Sequence, residues 1–401
     1  MIKRWWPLGC AGVVGLAVLF AAERAVVVRQ NQPPAAAPLP TPNAFDDVKR
    51  AGDLSSENYD SNQPDQSPQQ NAAVRRRVLA ENAEALRVLR AGFDHAYAMP
   101  REQAVSGMTN QYYANCRRLA RVLSFEATEH AAAGRYAAAL DSQLDALRLG
   151  ADVERGTPLI GQLVGIAAQS LGRQTKLVQP RIDALDAAGA KAAARRLSAI
   201  LATETVPAET IRSERELCFA MMRADERAAH TASSTAQRLL EPFMFRGHNR
   251  YLDALSAWAS TGRQGDEPAN PAPDAKRFGT LAKMTGEVMP KAMFKWWTNR
   301  AANEMFVAAL ALQSYRAEHG AYPDRLEALV PHILPELPRD PYGAGPLKYR
   351  REGDKYVLYS VGPDRKDDGG KAAEKQDEKG QKVYRIDADS VGDVVWGVTQ
   401  M

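Results

Sequence analysis

The chain has 401 residues, of which 45% are hydrophobic and 25% charged, with a formal net charge of +4. That length accommodates two or three domains, and the balanced composition excludes a wholly disordered or collagen-like polymer. The basic residues are interspersed with acidic ones, which excludes the concentrated basic footprint of a nucleic-acid-binding protein.

Residues 7–22 carry no charge and follow Lys3, Arg4, Trp5 and Trp6. Counted with the two tryptophans the uncharged run is near the lower length limit for crossing a bilayer. The basic pair before it predicts a cytoplasmic N-terminus and an extracytoplasmic remainder, with the tryptophans at the interface. Glu23 and Arg24 follow the run at once, and Ala25-Val26-Val27-Val28 resumes its apolar character. This favours an uncleaved signal anchor over residues 1–30 rather than a cleaved signal peptide. Residues 31–70 read as a disordered tether. Pro33 to Pro42 favours extended polyproline II, and Ser55 to Gln70 is too polar to offset its ordering entropy.

From Ala72 the apolar spacing turns helical, with Val74, Val78, Leu79, Ala85, Leu86, Leu89 and Phe93 three or four apart, ending before Pro100. A second helix is predicted from Gln103 to Ala132, with Tyr113, Leu119, Val122, Leu123 and Phe125 inward. Gly134-Arg135-Tyr136-Ala137-Ala138-Ala139-Leu140 resembles the Gly-x-Tyr-x-x-Ala-Leu turn of tetratricopeptide-type hairpins, which implies Tyr136 filling an interhelical groove. No regular 34-residue period follows, so an irregular all-α domain over 71–298 is expected. Its later helices are predicted at 159–177, 184–203 and 209–240, the last with a charge-alternating, solvated face. Glu241-Pro242 is read as a break, and the aromatic and methionine residues between Tyr251 and Trp297 either as core packed on the helical body or as an exposed contact surface for a partner or lipid headgroups. Cys116 and Cys218 are read either as free thiols or as one disulfide.

The last stretch carries an amphipathic helix ending Ala311-Leu312-Gln313-Ser314-Tyr315, then Gly320-Ala321-Tyr322-Pro323, Asp340-Pro341-Tyr342-Gly343, Leu347-Lys348-Tyr349 and Tyr356-Val357-Leu358-Tyr359-Ser360-Val361-Gly362-Pro363-Asp364. An Asp-, Gly- and Lys-rich loop closes on Gly392-Asp393-Val394. The order resembles the globular domain of the major pseudopilin of type II secretion systems, over about a quarter of the chain. The resemblance implies a small α+β domain over 299–401 and a calcium ion in the acidic loop, with Asp364, Asp368 and Asp393 as first ligands. Carbonyls near Leu358 and Ser360 would assist. The departures are five lysines diluting that loop, which reads equally as a solvated turn with Asp and Gly in turn roles and no cofactor, and some 280 residues between the apolar segment and the domain. A filament subunit assembled by that route is therefore not expected; the domain reads as a structural or docking module.

The six histidines form no metal-binding motif, and neither a nucleophile elbow nor a phosphate loop occurs. The expected fold class is mainly α: one membrane-spanning helix, an irregular helical-hairpin domain and the small α+β domain. The expected role is a non-enzymatic, membrane-anchored scaffold or interaction protein of a bacterial cell envelope, meeting the membrane through its N-terminal helix and a protein partner through its body. An accessory of a secretion or pilus-like assembly, and an envelope hydrolase without a recognisable motif, are the alternatives.

Overall fold

The computed structural model describes residues 37–59, 67–105, 109–173, 175–228, 235–261, 272–376 and 382–399, with isolated positions between 22 and 29. The protein is mainly α-helical. Among the described residues no helix is long and apolar enough to cross a membrane; the anchor run 7–22 lies almost entirely outside them. Val27, just beyond it, is buried against Phe219 and Phe245.

The first helix, α1 (Ala44–Leu54), lies where the sequence predicts a disordered tether. The Asn43 side chain accepts hydrogen bonds from the backbone N–H of Phe45 at 3.1 Å and of Ala98 at 3.0 Å, and donates to Ala98 O at 2.8 Å. It thus caps α1 and pins its start to a distant loop. Phe45, Val48 and Ala51 recur three apart and form the buried face. The Phe45 ring packs on Tyr97 and Tyr112 at centroid separations of 6.2 and 5.1 Å. Three such side chains suffice to order eleven residues against a preformed surface, although the surrounding composition is polar.

Helices α2 (Ala72–Glu81) and α3 (Ala83–Gly92) occupy the span read as one helix. Asn82 separates them; its fully buried amide donates to Val78 O at 2.8 Å and Ser56 O at 3.1 Å and accepts from Ser56 N at 2.9 Å. After the short α4 (Arg101–Val105) come α5 (Thr109–Ala132), α6 (Tyr136–Glu154), α7 (Leu159–Arg173), α8 (Thr175–Asp183) and α9 (Ala187–Ala202). A turn through Gly134 joins α5 to α6 as the hairpin pattern predicts. Leu140 faces inward there, but Tyr136 is 37% exposed and fills no groove. The next helix is α10 (Pro207–Ala228), and α11 (Thr235–Thr261) continues through position 242 with no break at Glu241-Pro242.

Two cores share α6. Its Ala146, Leu149 and Val153 join the α1–α3 and α5 side chains, whereas Leu140, Leu144 and Leu147 join a larger cluster with α8, α9 and the C-terminal elements. A helix apolar on opposite faces belongs in the interior. Its crossing with α7 is close: a Cβ on Gly165 would lie 2.3 Å from Glu154 Cγ and 2.5 Å from Gly150 O, so only glycine fits. The Tyr251–Trp297 aromatic group is largely core. Tyr251 is fully buried and Trp258 meets Trp297 at 5.0 Å, while Met284 in α12 (Thr280–Gly286) is 67% exposed. Cys116 and Cys218 are both free.

Helix α13 (Met289–His319) runs through the expected domain boundary at 298/299 without interruption. Every residue from Ala301 to Ser314 is buried, so this helix is the spine of the larger core. A 3₁₀ turn (Leu326–Leu329) follows, then β1 (Lys348–Glu352) and β2 (Lys355–Ser360), an antiparallel hairpin in the register Tyr349 to Leu358 and Arg351 to Tyr356. The two-residue strands β3 (Lys375–Gln376) and β4 (Lys382–Val383) pair with each other. The last strand, β5 (Val394–Val395), adds to β2 in the order β1-β2-β5. Trp396 locks the sheet to the helices: its ring stacks on Phe306 at 5.8 Å and its Nε1–H donates to Gln179 Oε1 at 2.7 Å.

Candidate functional site

A cavity of about 830 Å³ opens where the C-terminal half of α9, the middle of α13 and the loop 331–345 meet. Leu201, Val206, Trp296 and Val307 supply apolar walls, and Pro331, Pro335, Pro338 and Pro341 stiffen the loop side. The loop is held from both directions. Arg195 donates to Ile333 O and His332 O at 3.0 Å each. The buried Asp340 carboxylate accepts from Tyr342 N at 2.9 Å, Ser360 Oγ at 2.6 Å and Val361 N at 2.8 Å, tying the Asp-Pro-Tyr-Gly turn to the end of β2. The Tyr342 hydroxyl meets Thr298 Oγ1 at 2.7 Å.

A charged network enters the cavity from below. Arg300 donates to Glu204 Oε2 at 2.8 Å, Glu304 Oε1 at 2.8 Å and Leu201 O at 2.8 Å. Behind it, Asn303 donates to Glu204 Oε1 at 3.0 Å and Gln169 Oε1 at 2.5 Å. Arg173 donates to Asn299 Oδ1 at 2.7 Å and Asn303 Oδ1 at 2.6 Å, and Asn299 returns a hydrogen bond to Gln169 at 2.8 Å. The chain ends at Glu154, whose Oε1 accepts from Gln169 Nε2 at 2.7 Å while Oε2 has no partner. Helical spacing builds this array. Asn299 with Asn303, and Arg300 with Glu304, are i,i+4 pairs on adjoining rows of α13, and Gln169 precedes Arg173 by one turn of α7.

Burial pushes the Glu154 carboxyl well above its ordinary range, and the neighbouring Glu204 carboxylate pushes it the same way. Burial raises Glu304 as well, against the opposing pull of Arg300. Burial lowers Arg173 to about 10. The fixed amides orient the ions and, Glu154 Oε2 excepted, supply hydrogen-bond partners to them, the condition for tolerating such a group in an interior.

The expected calcium ligands are placed differently. Asp393 is buried; its Oδ2 accepts from Gly370 N at 2.7 Å, and its Oδ1 faces Asp368 N at 3.4 Å. Asp364 accepts from Gly392 N at 3.1 Å and Lys366 N at 3.2 Å. Asp368 thus contributes its backbone N–H toward Asp393, and its side chain is exposed. Among the described residues no three His, Cys, Asp or Glu side chains converge as a metal site. Both carboxylate oxygens of Asp364 and of Asp393 face backbone N–H groups. The loop uses these aspartates for turn chemistry.

The Asp340-Pro341-Tyr342-Gly343 motif read from the sequence forms part of the cavity wall, but the residues of the charged network were not singled out from the sequence. The signal was present as polar residues inside apolar helical runs: Gln162, Gln169 and Arg173 in α7, and Asn299, Arg300, Asn303 and Glu304 in α13. No protein-family model, no curated protein and no solved structure matches the chain.

Proposed function

We propose that this chain is a membrane-anchored, extracytoplasmic scaffold or interaction protein of a bacterial cell envelope, and that it receives a segment of a protein partner in the cavity between α9, α13 and the loop 331–345. The observation that carries this reading is the state of the cavity's charged groups. Arg300 is committed to two carboxylates and a carbonyl, and Arg195 to two carbonyls of the loop. Groups so engaged set the shape of a recess rather than carry out proton or group transfer, and the remaining lining is mostly apolar and proline-rich, with the exposed Glu336 and Arg339 on the loop side. Apolar walls with few polar anchors suit an extended polypeptide segment. The anchor and the extracytoplasmic location rest on the charge asymmetry around residues 7–22.

Site-directed photocrosslinking in intact cells tests the reading. A photoreactive residue replacing Val206, at the cavity rim, is expected to give a discrete adduct that a bulky Ala199→Trp blocks. The same probe at the remote, exposed Glu84 is expected to give none. Identical adducts from both positions, or none from Val206, refute the cavity as a partner site.

A further inference from the structure

The surface beside the end of the N-terminal apolar run has a composition of its own. Val27, five residues past that run, is buried against Phe219 of α10 and Phe245 of α11, and Leu281 of α12 packs on the same cluster. Leu281 lies three residues before Met284, which is 67% exposed. The backbone keeps right-handed helical angles from α12 through Glu287 and Val288 into α13. Met284, Val288, Lys291 and Lys295, spaced four, three and four apart, therefore fall on one row, and all four are exposed. Ala282, Met289 and Met293 form the opposite row and are buried.

The charge along this stretch is one-sided. Residues 274–295 hold Lys276, Arg277, Lys283, Lys291 and Lys295 against Asp274 and Glu287, although the whole chain carries a formal net charge of only +4. Asp274 is moreover within 3.6 Å of Arg277. A row of two apolar side chains continued by lysines makes a poor interface between proteins, whose buried centres are depleted in lysine. A two-fold contact with a second copy would also set these lysines against their own counterparts. The interface of a bilayer suits the same row, because methionine and valine enter the boundary between headgroups and acyl chains while ammonium groups stay with the phosphates.

We propose that this row rests on the headgroup layer of the membrane that holds the N-terminal run, and that it prefers anionic phospholipid there. The helical body then lies against the bilayer instead of standing off on a tether. The proposal rests on the reading of residues 7–22 as a membrane anchor, since the packing of Val27 is what brings the row beside that segment.

The full chain reconstituted in vesicles tests this, with the fluorescent residue dansylalanine replacing Met284 and, in a separate preparation, the remote, exposed Glu84. In phosphatidylcholine–phosphatidylglycerol vesicles the emission at 284 is expected to shift to the blue and to be quenched by headgroup spin-labelled lipid. The emission at 84 is expected to do neither. Lys291→Gln with Lys295→Gln is expected to weaken docking about fivefold per lysine removed, and both positions are exposed, so the fold is kept. Alkaline carbonate extraction of the same vesicles reads the anchor separately. Release of the chain refutes the anchor and this proposal with it. Retention of the chain with no shift at 284 overturns this proposal alone and leaves the anchor standing. A blue shift without quenching marks a protein neighbour, a second copy included, and overturns it too, as does quenching that is equal with and without phosphatidylglycerol.

Discussion

Replacing Arg300 by Met tests the charged network beneath the cavity most directly. Methionine keeps much of the aliphatic stem but abandons Glu204, whose side chain is 1% exposed, Glu304, which is 10% exposed, and the carbonyl of Leu201. Breaking a buried ion pair from one side costs about 3–5 kcal/mol, because the partner is left as an uncompensated charge. Arg300 is itself 25% exposed, so water replaces part of what is lost and about 3 kcal/mol is expected. Against a typical domain stability of about 5–15 kcal/mol this is a large fraction. Urea unfolding followed by tryptophan fluorescence is a suitable assay, since Trp296 lies one turn from the substitution. The deficit should depend on pH with a definite sign. Glu304 is already raised by burial and rises further without Arg300. A raised carboxyl favours folding below its unfolded pKa and loses that contribution as pH rises through its folded value. The deficit should therefore be smaller at pH 5 than at pH 8, and adding Glu304→Gln should recover part of it at pH 8. A deficit under about 1 kcal/mol, or one equal at both pH values, would refute the assignment of these groups as a mutually dependent buried network.

Gly165→Ala tests the α6–α7 crossing: the backbone of Gly150 must move, and a net loss of about 2 kcal/mol is expected in urea unfolding despite the better helix propensity of alanine. A stabilised variant would mean that the helices sit farther apart. Asp393 is pushed up to about 6 by burial, against its two backbone N–H donors. Its contribution to stability is present below the unfolded pKa of about 3.9 and declines through about pH 6. Subtracting the Tm–pH curve of Asp393→Asn from that of the natural chain should reveal that decline, and parallel curves would exclude it. Millimolar calcium should leave the Tm unchanged, since backbone N–H groups face Asp364 and Asp393; a calcium-dependent rise abolished by Asp393→Asn would reinstate the ion.

Periodicity made most of the helical body legible, because Leu119, Leu123, Leu140 and Leu144 repeat on faces that are in fact buried. It was least informative where tertiary contacts decide. Helix α1 is short and its neighbourhood polar, so its order depends on Asn43 reaching Ala98 and on Phe45 meeting Tyr97, neither of which is local. Asn82 divides a continuous helical pattern through a bond to Ser56, again from outside the segment. The opposite error occurred at Glu241-Pro242, where a local breaker lies within α11. The charged network was unread for a related reason. Glu154, Glu204 and Glu304 lie on three different segments, and only the fold brings them to a common pair of arginines. Motif searching finds residues near in sequence, whereas this array is assembled from positions up to 150 apart in the chain.

The uninterrupted course of α13 sets the order in which the chain can become stable during synthesis. Leu197 and Leu201 share one core with Met305, Phe306 and Leu310, and α9, which carries them, packs more extensively on α13 than on any other element. Until the ribosome has released residues beyond 312, that face of α9 lacks its main partner surface, and the helix bearing it must wait as an unfinished layer. A fragment stopped at residue 298 would be left in that state, presenting a greasy trough where the missing helix belongs. Separating the two halves for expression would thus produce an aggregating N-terminal piece, and the smallest unit that can be handled in solution carries both.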